Sequence, residues 1–306
     1  MIRVISNRGL RAFAAAAVSL TLLWTSACSN DTTRLPPVDT PSVATAEPVT
    51  ERDYDAATFT DPAAVDNAWS PLVPGTQLVY EGKVNDGKDR LFHRVVFTVT
   101  DLTKTIDGVE TVVIWDRDYT GGALVEAEIA FFGQDDSGNI WLFGEHPEEY
   151  EDGKIAASPT WIQGLAGAAA GVFMRADPQQ ETPEYAQGVA PKVGFTDRAF
   201  VRATGMDDCV PYSCFEDVVV IDEYNPDEPG KHQLKYYAAG IGNIRVGWAG
   251  PREKDKEVLF LVEVRQLDPA ALAEARDAAL ALEVSAYDIS PDLYGETSPM
   301  QAGAGY

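Results

Sequence analysis

The stretch Leu91-Phe92-His93-Arg94-Val95-Val96-Phe97-Thr98-Val99-Thr100 sets the class of the fold. Leu91, His93, Val95, Phe97 and Val99 fall on one face of an extended chain and Arg94, Thr98 and Thr100 on the other, the period of a sheet with one covered side. Outward from it, runs rich in Val, Ile, Phe, Tyr and Trp recur at Thr76 to Lys83, Glu110 to Asp116, Ala123 to Phe132, Asn139 to Gly144, Arg198 to Thr204, Phe215 to Tyr224, His232 to Ala238, Asn243 to Trp248 and Glu257 to Leu267. Ile106-Asp107-Gly108, Asp136-Ser137-Gly138-Asn139 and Pro229-Gly230 supply turn chemistry between runs. Such a succession predicts a mainly β fold, a curved antiparallel meander forming a half-barrel or barrel, with a two-layer sandwich as the alternative.

Two segments break the pattern. Trp161 to Met174 is rich in Gly and Ala and runs into a loop punctuated by Pro178, Pro183 and Pro191, so His146 to Gly194 reads as a long insertion, a lid or a cover. Near the end, Asp268 and Pro269 form an N-cap and first-turn pair ahead of Leu272, Ala275, Ala279, Leu282 and Ala286 at helical spacing. One helix is expected over about 268–286, its small-residue face set close against the sheet, where it would plug the open side of a curved one.

The N-terminus carries Arg3, Arg8 and Arg11 with no acid, then an apolar run from Ala12 to Leu23 and small residues at Ser26 and Ala27 before Cys28. The run is well short of the roughly 20 residues a spanning helix needs, so it reads as an export signal. Its end resembles the lipobox of bacterial lipoproteins, with Thr25 where Leu is usual, which makes residues 1–27 the signal peptide and Cys28 the lipidated residue that ties the chain to a membrane. Residues 28–58, punctuated by Pro36, Pro37, Pro41 and Pro48, read as a disordered tether; residues 59–287 as one β-rich domain; and residues 288–306 as a disordered tail. In an exported chain, Cys209 and Cys214 are expected to form a disulfide.

The 306 residues are 45% hydrophobic and 24% charged, enough apolar material for a large core. A net charge of −24, which becomes −27 once three basic residues leave with the signal, excludes nucleic acid as a partner. There is no nucleophile elbow, zinc-protease helix or phosphate loop, which leaves any catalysis without a signature. The hairpin around Asp135, Asp136, Asn139 and Glu145 gathers oxygen ligands that could take Ca²⁺, although the same residues make an ordinary turn. Glu145 with Glu148 or Glu149 could form a glycosidase-like acid and base pair.

Four stretches, Val65 to Thr76, Gln134 to Glu145, Trp161 to Gly164 and Tyr236 to Gly242, together resemble a family of exported bacterial proteins with no assigned activity. Members show an Asn-Pro-Tyr-Phe-Pro-Leu-x-Pro-Gly-Thr opening, an Ala-Gln-Asp-x-x-Gly-Asn-Val-Trp-Tyr-x-Gly-Glu core and a Tyr-Tyr-Ala-Pro-Gly-Val-Gly ending. The resemblance spans roughly Phe59 to Trp248, departing at Ala68-Trp69-Ser70, Gly133 and Ala239. It supports the domain limits and implies no reaction. The leading expectation is a non-enzymatic lipoprotein that holds a hydrophobic or lipid-like molecule in a pocket of its curved sheet, lined by Trp141, Trp161, Phe173, Tyr236 and His93. The alternatives are an envelope glycan or ester hydrolase using Glu145, and an envelope interaction module with a filled core.

Overall fold

A computed structural model describes residues 54–303 apart from residue 56. The signal segment, Cys28 and the tether up to residue 53 lie outside the described residues. Five long strands, β1 (Thr76–Asp86), β2 (Asp89–Ile106), β3 (Val109–Thr120), β4 (Ala123–Gln134) and β5 (Ile140–Glu151), follow one another in antiparallel hairpins. The insertion supplies short strands β6 (Lys154–Ala157), β7 (Trp161–Ile162), β8 (Ala169–Met174), β9 (Tyr185–Ala186) and β10 (Gly188–Val189). A second meander follows, β11 (Arg198–Cys209), β12 (Cys214–Tyr224), β13 (His232–Ala238), β14 (Gly242–Ala249) and β15 (Val258–Gln266). The chain ends in helix α1 (Pro269–Ile289), a single turn α2 (Pro291–Tyr294) and β16 (Gln301–Ala302).

All ten runs read from the sequence are strands. They lie in one antiparallel sheet ordered β10-β8-β5-β4-β3-β2-β1-β15-β14-β13-β12-β11-β9. Its two end strands are joined in sequence, with Gln187 alone between them: Tyr185–Ala186 pair with β11 and Gly188–Val189 with β8. One five-residue stretch therefore bonds to both ends of the sheet and draws it into a nearly closed barrel. The close approach needs glycine at 171, where an added Cβ would sit 2.4 Å from the Gln187 carbonyl carbon. The expected lid is thus wall: Ala169–Met174 is a strand bonded to β5, because its small residues let the seam close tightly.

Strand alternation gives two faces. Val99, Ile114, Ala130, Phe132, Leu142, Val201, Val219, Ile221 and Tyr237 point inward and form one core, and across it the Phe173 ring on β8 meets Tyr237 on β13 at 6.5 Å. On the outer face Val113, Ile129, Phe131 and Phe143 pack with Ala279, Leu282 and Ala286 of α1. The helix begins as expected, with Asp268 Oδ1 accepting from the Ala270 and Ala271 amides, but it lies against the outside of β2, β4 and β5 and plugs no opening.

The tail is ordered over its described residues, 288–303, where disorder was expected. Tyr294 is fully buried, β16 pairs with β2, and Lys104 Nζ bonds both Glu283 Oε1 and the Ser298 carbonyl at 2.7 Å. At the other end the domain starts earlier than residue 59, since Tyr54 packs its ring on Trp141 and Phe143 at 6.0 and 5.7 Å. The Cys209–Cys214 disulfide caps the β11–β12 hairpin, whose tip docks on β15 through Tyr212 N–H to the Leu261 carbonyl.

The four motif stretches meet in space. Asn67 Nδ2 donates to the Gly138 carbonyl while its amide donates to Gln134 Oε1; the Gly240 amide donates to the Ala68 carbonyl; and Trp161 Nε1 donates to Glu145 Oε2. Their residues thus serve the fold as hydrogen-bond hubs.

Candidate functional site

The inner face carries charge as well as core. Register sets Thr120 opposite His93, Glu126 opposite Asp118, Glu128 opposite Asp116, and Glu145 opposite Ala130, and all of these but Thr120 and Ala130 are buried acids or histidine. Across the barrel Lys235 Nζ pairs with Glu223 Oε2 at 2.6 Å, and Gln187 Nε2 donates to Glu223 Oε1. Burial raises the carboxyls of Glu126 and Glu128, Glu128 to about 8, and the Glu145 and Asp116 charges add to the effect on Glu128. Asp118 is raised well above the usual range, chiefly by burial, against the pull of His93.

His93 is the hub of this pole. Its Nδ1 lies 3.0 Å from Thr120 Oγ1 and 3.2 Å from Asp118 Oδ1, and its Nε2 lies 2.7 Å from Glu257 Oε1. Burial pulls the imidazole pKa down, but Glu257 and Asp118 outweigh it and the net shift is upward. His93, Asp118 and Glu257 form the one group of three ligand-type side chains among the described residues whose ligand atoms all lie within 4.8 Å of one another. The sequence puts His93 on the covered face of its strand. It gives no sign of Asp118 and Glu257, which arrive from β3 and from the residue before β15.

The five expected pocket residues divide between the faces. Trp161, Phe173 and His93 point inward; the Trp161 ring stacks on Phe195 at 5.0 Å and Phe173 meets Phe132 edge-on at 5.0 Å. Trp141 lies on the outer face, covered by Tyr54 and Phe59, with its Nε1 donating to Asp135 Oδ2. Tyr236 alternates away from Tyr237 to the outer face, where the Arg245 guanidinium sits 4.8 Å from its ring. No single pocket gathers all five.

The oxygen cluster divides in the same way. Asp135 accepts from the Ser137 and Asn139 amides, Asn139 Nδ2 and Trp141 Nε1, and Asp136 accepts from Thr60. Turn and packing bonds engage these groups, and Glu145 is on the inner face away from them. Glu148 is also separated from Glu145: it pairs opposite Ala127 on the outer face, where Tyr150 Oη donates to it. An acid and base pair of Glu145 with Glu148 would have to act through the sheet. Glu149 shares the Glu145 face and stands opposite Glu126.

A cleft of about 310 Å³ opens where the Gly and Ala rich segment meets the end of α1. Its walls come from Trp161, Leu165, Ala168 and Ala190 on one side and Ile289 to Leu293 on the other, with Lys192 on its border. Positions 165–168 build this wall because the Leu165 amide donates to the Ile162 carbonyl, and the Ala168 amide to the Leu165 carbonyl, in a tight reversal before β8. The sequence anticipates the two boundaries, the Gly and Ala rich segment and the helix, though not the cleft's place outside the barrel interior.

The sequence matches no family model and no curated protein. Two solved chains align with it. One is a candidate exported protein with a YmcC-like fold from Bacteroides fragilis, 14% identical, with a TM-score of 0.39 over 65% of this chain and 99% of that one. The other is a candidate lipoprotein from Parabacteroides distasonis, 12% identical, with a TM-score of 0.35 over 65% of this chain and 100% of that one.

Proposed function

We propose that this chain is a non-enzymatic binding module, exported and lipid-anchored at Cys28, which holds a small hydrophobic or lipid-like molecule in the cleft between residues 161–168 and the end of α1. The observation that carries the reading is the cleft itself. At about 310 Å³ it falls at the lower end of the size of small-molecule sites, roughly 300–1,000 Å³, and it combines an apolar wall with the polar groups of Ser158, Thr160, Lys192, Ser290 and Asp292. Lys192 and Asp292 put one charge of each sign on its border, and Lys192 is the group that would meet an anionic head on an otherwise apolar body. Export and anchoring rest on the basic, apolar and small-residue order of residues 1–27 ahead of Cys28. Of the two pairs the hydrolytic alternative offers, Glu145 with Glu148 is weakened because they occupy opposite faces of β5, which leaves Glu145 with Glu149.

Native mass spectrometry on protein purified without detergent, followed by organic extraction, tests the reading. A stoichiometric apolar adduct is expected, reduced in Lys192→Glu and absent in a Val193→Trp variant that fills the cleft and melts like wild type. A clean apo mass, together with no uptake of a fluorescent fatty acid, would retire it.

A further inference from the structure

The buried triad on the inner face stands outside the proposed cleft and rests on different observations. His93 is on β2 and Asp118 is displaced by two residues on the neighbouring β3. Glu257 comes from the far side of β1. It reaches His93 because Gly82, the β1 residue opposite His93, has no side chain: an added Cβ there would sit 1.8 Å from the Val258 carbonyl oxygen. Two strands and the residue that leads into β15 therefore converge on one point because the strand between them carries a glycine.

The three groups are close, with one carboxylate on each side of the imidazole. His93 Nε2 is taken up by Glu257 Oε1 at 2.7 Å, whereas Asp118 Oδ1 is buried with no hydrogen-bond donor and has only His93 Nδ1 nearby, at 3.2 Å. Native proteins rarely leave such atoms unsatisfied without a reason. Around the triad, Gln233 Nε2 donates to Glu257 Oε2 at 2.7 Å and Thr120 Oγ1 lies 3.0 Å from His93 Nδ1, the kind of outer contact that orients metal ligands. The charge points the same way, since Glu126 stands opposite Asp118 on the neighbouring strand.

We propose that His93, Asp118 and Glu257 form a binding site for a divalent first-row transition metal ion, with one imidazole nitrogen and one oxygen from each carboxylate as ligands. One nitrogen and two oxygens are the donor set that suits Zn²⁺, and three protein ligands leave a position for water or an exchangeable group. Their mutual separations, within 4.8 Å, are ones that an ion binding at roughly 2.0–2.2 Å draws together.

The test uses the full chain, purified in mild detergent, stripped with EDTA and titrated with ZnCl₂ against a chromophoric chelator. One equivalent is expected to bind at micromolar Kd or tighter. His93→Gln and Glu257→Gln should each weaken binding at least 100-fold, while His232→Gln should leave it unchanged. Far-UV circular dichroism and melting separate a lost ligand from a lost fold, and X-ray absorption on the wild-type zinc complex should report one nitrogen among light-atom ligands whether or not the variants fold. Absence of a tight first equivalent, binding that survives His93→Gln in a folded variant, or an absorption spectrum dominated by sulfur would each overturn the proposal.

Discussion

Lys104 Nζ lies 2.7 Å from Glu283 Oε1 with both side chains out of water, so charge as well as apolar packing joins the outer surface of β2 to α1. Three aromatic rings surround the ammonium, the nearest that of Tyr294 at 4.9 Å, and Glu283 also accepts the Met300 amide. Removing one partner from such a pair leaves a buried charge behind. Lys104→Met should destabilise the fold by about 3–5 kcal/mol in urea denaturation, and adding Glu283→Leu should recover at least half of that. A single-variant loss below about 1 kcal/mol would mean that water reaches the pair.

The seam can be opened from one position. Gly171→Val puts a side chain where the Gln187 backbone lies, 2.4 Å from the ideal Cβ. We expect a loss of about 1–3 kcal/mol, the usual range for overpacking. Amide exchange should accelerate at Ala186 to Val189 before it does in β2 or β3. Uniform acceleration over the whole sheet would argue against a separable seam.

Glu126, Glu128 and His146 make stability fall toward both alkaline and acid pH, for different reasons. Glu126 and Glu128 are raised by burial, Glu128 from 4.5 to about 8, so the folded state holds their protons more tightly than the unfolded chain does. Their contribution is complete below 4.5 and is lost as pH climbs through 8. His146 behaves oppositely: burial outweighs Glu148 and lowers its pKa to about 4, so its contribution is present above 6.5 and is lost as pH falls toward 4. Melting temperatures in EDTA should therefore decline from pH 6.5 to 8.5, less steeply in Glu128→Gln, and the acid arm should flatten in His146→Gln. Parallel curves for wild type and both variants would contradict these assignments.

The disulfide closes a sequence separation of only 5, so its effect should be modest. Replacing Cys209 and Cys214 by Ser should lower stability by about 2 kcal/mol on the loop-entropy scale. The change should concentrate at the hairpin tip, with faster exchange at the Tyr212 amide that donates to Leu261. A loss above 4 kcal/mol would show that the tip supports β15 more than its bonds suggest.

The strands were legible because each presents its own alternation, as Leu91 to Val99 does, and α1 because Asp268-Pro269 marks its start. The seam was not, because Ala169-Ala170-Gly171 lacks the β-branched and aromatic residues that mark a strand; these small residues are there for close approach to residues 186–188, a requirement that only the paired structure exposes. Tail order was hidden for a related reason, since what anchors residues 298–302 are Lys104 and β2, far away in sequence. In the site, the covered position of His93 could be read along one strand. Asp118 and Glu257 could not, because cross-strand neighbours are fixed by register rather than by spacing.

The pairing of β1 with β15 sets Thr76 opposite Gln266, and that has a consequence in time. Hairpins between consecutive strands close within microseconds. The β1–β15 ladder instead waits for a loop of well over a hundred residues, whose closure is slow and whose contacts are the least local in the sheet. Until then the first meander holds two open borders, β1 and β5, each able to recruit a foreign strand. The chain is most vulnerable to misassembly while its last third is still being delivered, so whatever escorts it should act on a half-built wall rather than on an unfolded coil.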